Sequence, residues 1–195
     1  MNLSDDKTLI ESILGGHHAD FAVLIERYQG LVAHVVARMV PKVSDRDDLC
    51  QDVFIKVYRN LGAFQFRSKF STWIATIAHN TCLNYLEKKR VPLYQDLQVA
   101  DDEAEAQSME WIPSAEGTPL DRVQARDLRE ILEREIEQIP LPYREILALF
   151  HLEEMSYEEI GEIMNLPAGT VKSYLFRARR FLRDRMLALY HMEAV

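Results

Sequence analysis

At 195 residues and 48% hydrophobic content, the chain can bury one medium core or two small helical ones. It contains no stretch of about twenty apolar residues, and the start Met1-Asn2-Leu3-Ser4-Asp5-Asp6 lacks the basic and apolar segments of a signal peptide, so the expected compartment is the cytoplasm. A net charge of −8 speaks against nucleic acid as a partner only if it is spread evenly along the chain.

It is not spread evenly. Residues 1–90 carry 12 Lys and Arg against 10 Asp and Glu. Residues 91–121 carry eight acids and no base: Asp96, Asp101, Asp102, Glu103, Glu105, Glu110, Glu116 and Asp121. Residues 122–195 carry 11 bases and 13 acids. Two nearly neutral blocks therefore flank an acidic segment that accounts for the deficit. The two cysteines, Cys50 and Cys82, each fall inside a helical pattern and read as small packed hydrophobes rather than a disulfide or metal pair.

In the first block Phe21, Leu24, Ile25, Tyr28, Leu31, Val32, Val35, Val36 and Met39 share one face at helical spacing, stopped by Pro41. A second stripe is Leu49, Val53, Phe54, Val57, Tyr58 and Leu61, ahead of Gly62. Its polar side is Asp48, Gln51, Asp52, Lys56, Arg59 and Asn60. A third stripe, Phe70, Trp73, Ile74, Ile77, Ala78, Thr81 and Tyr85, runs toward Lys88-Lys89-Arg90, with Thr72, Thr76, His79, Asn80 and Asn84 as its polar face. The loop between the last two, Ala63-Phe64-Gln65-Phe66-Arg67-Ser68-Lys69, mixes aromatic and basic residues. That combination suits single-stranded DNA, whose unstacked bases lie on rings while cations meet the backbone. Phe70 and Trp73 are expected in the core, and Phe64 is the ring more available to a ligand.

From Val91 to Asp121 the periodicity is lost among Pro92, Pro113 and Pro119 and the acids, the composition of a linker that need not fold alone. The last block restarts with Leu128, Ile131, Leu132, Ile136 and Ile139, stopped by Pro140 and Pro142, and a helix from Tyr143 to His151 follows. Ser156-Tyr157-Glu158-Glu159 is a capping box opening a short helix with Ile160, Ile163 and Met164 inward. Asn165-Leu166-Pro167-Ala168-Gly169 forms a turn. The final helix buries Val171, Leu175, Ala178, Leu182 and Met186, and Thr170, Ser173, Tyr174, Arg177 and Arg180 face out. Lys172, Arg177, Arg179, Arg180, Arg183 and Arg185 oppose one acid, Asp184. Two helices joined by a short turn, the second rich in arginine, read as a helix-turn-helix whose second helix enters a major groove.

No alternation of period two occurs, so the fold class expected is all-α: two small helical domains, 1–90 and 122–195, joined by a flexible acidic linker, 91–121. Catalytic signals are weak. His17-His18 lack a cysteine partner, His79 with Cys82 supplies two metal ligands where a structural zinc takes four, and neither a phosphate-cradling glycine loop nor a nucleophile motif is present. No enzyme activity, metal or cofactor is expected.

Asp48-Leu-Cys-Gln-Asp-Val-Phe-Ile-Lys-Val-Tyr-Arg-Asn-Leu61 resembles conserved region two of the extracytoplasmic-function (group IV) sigma factors of the sigma-70 family. Phe70-Ser-Thr-Trp-Ile-Ala-Thr-Ile-Ala-His-Asn80 with its preceding loop resembles that family's melting and minus-ten parts. Ser156-Tyr-Glu-Glu-Ile-Gly-Glu-Ile-Met and Pro167-Ala-Gly-Thr-Val-Lys-Ser-Tyr-Leu-Phe-Arg-Ala-Arg179 resemble its region-four helix-turn-helix. The chain is similar to the sigma-E-like, envelope-stress branch, and departs from it at Thr76, Leu83 and Tyr174, where basic residues are expected.

The resemblance implies a promoter-specificity subunit for RNA polymerase. Docking on core polymerase, through its beta and beta-prime subunits, falls on Asp48, Gln51, Asp52, Phe54 and Arg59. Minus-ten DNA falls on Phe64, Arg67, Ser68, Lys69, Trp73, Asn80 and Asn84. Minus-35 DNA falls on Thr170, Lys172, Ser173, Phe176, Arg177 and Arg180. It further implies control by an anti-sigma factor, which can be membrane-anchored, with no membrane insertion by this chain. Two rival readings remain at this stage, a response-regulator-like transcription factor and a polymerase-bound or sigma-sequestering adaptor. The first lacks a receiver domain pattern in residues 1–90.

Overall fold

The computed structural model describes residues 3–89 and 131–193, and these are helical with short connections. The expected acidic linker, 91–121, lies outside the described residues. The helices are α1 (Leu3–Leu14), α2 (Phe21–Met39), α3 (Arg46–Asn60) and α4 (Phe70–Lys88), then α5, whose described part is 131–136, α6 (Leu141–His151), α7 (Tyr157–Met164) and α8 (Ala168–Glu193).

In α2 the apolar stripe is buried from Leu24 to Met39, including Tyr28, Leu31, Val32, Val35 and Val36, because positions three and four apart share a face. The helix ends where Val40 turns extended ahead of Pro41, and Arg46 Nε donates to the Val40 carbonyl at 2.8 Å. A 3-10 turn, Val43–Asp45, leads into α3. The Asp45 carboxylate accepts from Lys42 and Ser44 and, at 2.6 Å, from the Tyr85 hydroxyl of α4, and these donors hold its pKa well below the usual carboxylate range. Helix α1 lies outside the sequence expectations. It is tied to α2 through Asp5 and Asp6, which both accept from Arg27, and through Ile10 and Ile13, which are buried.

α3 and α4 pack on α2 and on each other. Leu49, Val53, Val57 and Leu61 point inward as the stripe requires, but Phe54 is half-buried and Tyr58 is exposed. Tyr58 packs edge-on against Phe21 and hydrogen-bonds His18 Nδ1 at 2.9 Å, a surface bracket across the turn before α2. Cys82 is fully buried, which pushes its thiol pKa up, and both cysteines are free.

The second half follows the expected punctuation. The capping box is present: Ser156 Oγ accepts from the Glu159 amide at 3.2 Å while Glu159 Oε2 accepts from the Ser156 amide at 2.9 Å. α7 stops at Asn165, which takes a left-handed conformation (φ 54°) that Asn tolerates, and the Leu166 amide then closes on the Gly161 carbonyl at 2.9 Å. A Cβ at Gly161 would stand 2.6 Å from the Leu166 carbonyl oxygen, so this position needs glycine for the turn to approach. Val171, Leu175 and Ala178 of α8 are buried, while Leu182 and Met186 are only partly so.

The two halves do not stand apart. α2 packs on α6 and α4 on α7, so that the buried apolar residues of both halves belong to one contiguous core. Among the described residues, polar contacts cross the junction. His79 Nδ1 meets Glu145 Oε1 at 2.7 Å, Lys69 Nζ meets Glu159 Oε1 at 2.9 Å, Thr72 Oγ1 donates to Glu159 Oε1 at 3.4 Å, and His34 Nδ1 meets Glu153 Oε1 at 2.5 Å.

Candidate nucleic-acid interface

The aromatic and basic loop before α4 is organised around Phe64. Its ring lies 4.8 Å from Phe66, 5.2 Å from Phe70 and 5.2 Å from Trp73, and Phe70 in turn meets Tyr28 edge-on at 5.2 Å. These spacings are those of favourable tilted and edge-on ring pairs. Phe64, expected to be the ring more available to a ligand, is only 8% exposed, because it fills the space between α4 and the loop. Phe66 is the ring at the surface, 38% exposed, held there by a left-handed backbone (φ 55°) and flanked by the Lys7 ammonium at 5.9 Å. Trp73 is half-buried beneath the same cluster. Arg67 and Lys69 are exposed, and Ser68 partly so.

Along α4, Asn80 and Asn84 face solvent as expected. Thr72 and His79, expected on the same outward face, are buried, and this is the main correction to the sequence reading. α6 and α7 cover that part of the helix, and the residues that meet Thr72 and His79, Glu159 and Glu145, lie 87 and 66 positions away in sequence. Glu159 holds its carboxylate pKa below the ordinary value. Burial alone would raise it, but the Ser156 amide and the Lys69 ammonium stabilise the anion more.

On α3, Asp48, Gln51, Asp52 and Arg59 are exposed on one side, with Phe54 half-buried among them. Asp47 and Asp48 sit in the first turn, where negative charge complements the helix dipole.

On α8, Lys172 and Arg180 are exposed, and Thr170, Ser173, Phe176 and Arg177 are partly exposed. The Ser173 hydroxyl donates to the Gly169 carbonyl at 3.1 Å. Tyr174, expected outward, instead stacks edge-on against Tyr143 of α6 at 5.4 Å, which turns its ring toward the domain. Arg179 lies 5.1 Å over the Phe150 ring and 3.3 Å from His151, Arg183 pairs with Asp184 at 2.8 Å, and Arg185 pairs with Glu135 at 2.6 Å. Of these basic residues Lys172, Arg180 and Arg183 are exposed. Sequence reasoning missed Glu145, Glu153 and Glu159 as interdomain residues. Glu145 and Glu159 lie on amphipathic helices and Glu153 in the bend after α6, and acidity at such positions is what any solvated surface also shows.

Among the described residues no group of three or more His, Cys, Asp or Glu side chains is placed to hold a metal ion, and no helix is long and apolar enough to cross a membrane.

Residues 24–91 match the family Sigma-70 region 2, and residues 129–182 match Sigma-70, region 4. The chain is 38% identical over 187 residues to the ECF RNA polymerase sigma-E factor of Escherichia coli (strain K12), spanning 94% of this chain and 95% of that one. It is 33% identical over 181 residues to the ECF RNA polymerase sigma factor SigW of Bacillus subtilis (strain 168), spanning 92% and 96%. In fold it is similar to CnrH, solved in complex with the cytosolic domain of CnrY, at a TM-score of 0.64 and 19% identity over 94% of this chain and 97% of that one. A second solved structure, the sigma factor RpoE of Bartonella quintana in complex with the anti-sigma factor NepR, superposes at a TM-score of 0.62 with 23% identity over 85% and 95%. With both regions present in order and full-length relatives above 30% identity, the chain belongs to the ECF sigma factors of the sigma-70 family.

Proposed function

We infer that this chain binds core RNA polymerase in the cytoplasm, directs it to chosen promoters and helps open them, and does no catalysis of its own. The observation that carries the reading is the pairing, in one chain, of a capped helix-turn-helix whose second helix is cationic with a loop that clusters Phe64, Phe66 and Trp73 beside Arg67 and Lys69. Helix-turn-helix units place the start of the second helix against base edges, and ring-and-cation surfaces hold single strands.

Residues 1–90 act as the core-docking and promoter-melting domain, 91–121 as the acidic linker, and 122–195 as the upstream-element reader. Asp48, Gln51, Asp52, Phe54 and Arg59 dock on the polymerase. Phe64, Arg67, Ser68, Lys69, Trp73, Asn80 and Asn84 receive minus-ten DNA. Thr170, Lys172, Ser173, Phe176, Arg177 and Arg180 read the minus-35 element. Control in an envelope or extracytoplasmic stress response by an anti-sigma factor is supported by the sigma-E relatives and by the anti-sigma complex of the Bartonella quintana RpoE.

Run-off transcription with purified core polymerase tests the reading. Adding the chain is expected to give discrete transcripts from a subset of promoters in a genomic library. A chain that binds core and gives no specific start sites is an adaptor instead.

A further inference from the structure

We propose that Arg38, Arg46 and Arg144 form a binding site for a small phosphate-bearing anion, where the end of α2, the start of α3 and α6 meet. The site stands apart from the promoter reading, since none of the three belongs to the residues assigned to polymerase or to DNA.

The three cations come from three helices. Arg38 stands in the last turn of α2 and Arg46 opens α3, and the bond from Arg46 Nε to the Val40 carbonyl, at 2.8 Å, holds that guanidinium at the end of α2. Arg144 lies on α6, which packs on α2. All three residues are half-buried. Among the described residues Arg38 and Arg144 make no hydrogen bond or ion pair, and the Arg144 Nε is buried without a partner. A buried donor without an acceptor is rare in folded proteins. Here it adds to the unused N–H groups of two neighbouring guanidinium forks.

The electrostatics point the same way. Burial lowers the pKa of both Arg38 and Arg144, and the like charge of Arg46 acts on both in that sense, with Arg38 adding to it at Arg144. Glu133 and Glu137 oppose this at Arg38, and Glu137 at Arg144, but both acids are exposed. Three cations against two acids leave an excess of positive charge, which arginine does not shed by losing its proton. An anion among the three removes the repulsion and satisfies the donors together.

The number and origin of the forks select the class of anion. A carboxylate matches a single guanidinium in its own plane. A phosphate group offers acceptor oxygens in tetrahedral directions and about two negative charges at neutral pH, so it can accept from forks that approach on different helices.

Inorganic phosphate, pyrophosphate and a nucleoside diphosphate are the probes, each added to the full chain at constant ionic strength against chloride. Arg144→Met and Arg38→Met each remove one guanidinium and keep an apolar stem. Phosphate stabilises many proteins merely by exclusion from their surface, and the variants control for that. The parent's melting temperature is expected to rise by about 2–4 °C once the probe exceeds its dissociation constant several-fold, and titration calorimetry should give one site per chain. Both variants should lose the rise, and in chloride alone they should melt at or above the parent, because each relieves like-charge repulsion. Tighter binding of the nucleoside diphosphate than of pyrophosphate supports the site with a nucleotide as its source, and equal or weaker binding supports it with the free anion. A parent that none of the three probes stabilises beyond chloride overturns the proposal. So does a rise of the same size in parent and variants, which is exclusion alone. A variant that melts well below the parent in chloride also overturns it, because the guanidinium then has its partner within the protein.

Discussion

The Tyr28 hydroxyl of α2 donates to Asp6 Oδ2 of α1 across 2.5 Å in the protein interior, and Arg27 from the next position donates to the other oxygen of the same carboxylate. One acid therefore fastens α1 by two donors on adjacent residues of α2.

Tyr28→Phe leaves the ring in place against Phe70 but removes one donor from a buried carboxylate, at a cost of about 1–3 kcal/mol. Urea unfolding should show a lower midpoint with an unchanged slope. Burial and the Asp6 carboxylate both push the Tyr28 pKa up. The group's contribution is thus fully present below the ordinary tyrosine pKa of about 10 and is lost only as pH rises beyond it. The difference between parent and variant should be constant from pH 6 to 9, and a difference that changes across that range would place another titrating group in the contact.

Gly161 and Gly169 offer opposite outcomes for the same substitution. A Cβ at Gly161 meets the Leu166 carbonyl oxygen at 2.6 Å, a backbone atom that can move only by opening the turn between α7 and α8. Gly161→Ala should destabilise by about 1–3 kcal/mol and lower the melting temperature. Nothing lies within 4 Å of a Cβ at Gly169, in the first turn of α8. Gly169→Ala should be neutral or stabilise by up to about 1 kcal/mol. A melting temperature for Gly161→Ala at or above that of the parent would mean the turn is not held as described.

The contrast between these sites and the junction explains what the sequence could reveal. The capping box, the left-handed Asn165 and the stripes of α2, α3 and α4 are local: each depends on residues within a turn or two, and periodicity and turn chemistry expose them. Thr72 and His79 read as solvent-facing because their own helix places them opposite Phe70 and Ile74, and only a second half-chain folded over them changes that. α1 escaped for a related reason. Its anchors Ile10 and Ile13 are few, and what fixes the helix is Asp6 meeting Arg27 and Tyr28 some twenty residues away. Tyr174 and Phe64 show the same limit on a smaller scale, since a ring at the edge of a stripe turns inward when a neighbour such as Tyr143 or Trp73 offers it a partner.

Asp48 and Asp52 are exposed one turn apart on α3, away from the stripe of Leu49, Val53 and Val57. Replacing both by Ala should cost no more than about 0.5 kcal/mol of stability for each surface position, yet weaken core binding. The effect should shrink at higher salt, where exposed charges are screened. A double variant that competes for core as well as the parent does would remove these two residues from the docking surface.

Arg177 and Arg183 separate base reading from phosphate contact on α8. Arg177 lies in the third turn, partly exposed beside Ser173, whereas Arg183 is six residues further on, exposed, and pairs with Asp184 at 2.8 Å. A helix that enters the major groove by its N-terminal end brings the earlier residue to base edges and the later one to the flanking backbone. With holoenzyme on matched and mismatched minus-35 elements, Arg177→Ala should cost about 1–3 kcal/mol on the matched element alone, the worth of a bidentate base contact. Arg183→Ala should weaken both elements equally, by less, and lower the steepness of the salt dependence, because it removes one phosphate contact and the counterion release that goes with it. Its effect should be small in absolute size, since freeing the guanidinium from Asp184 is part of making that contact. Two variants that act alike on matched and mismatched elements would contradict this division and place both arginines on the backbone.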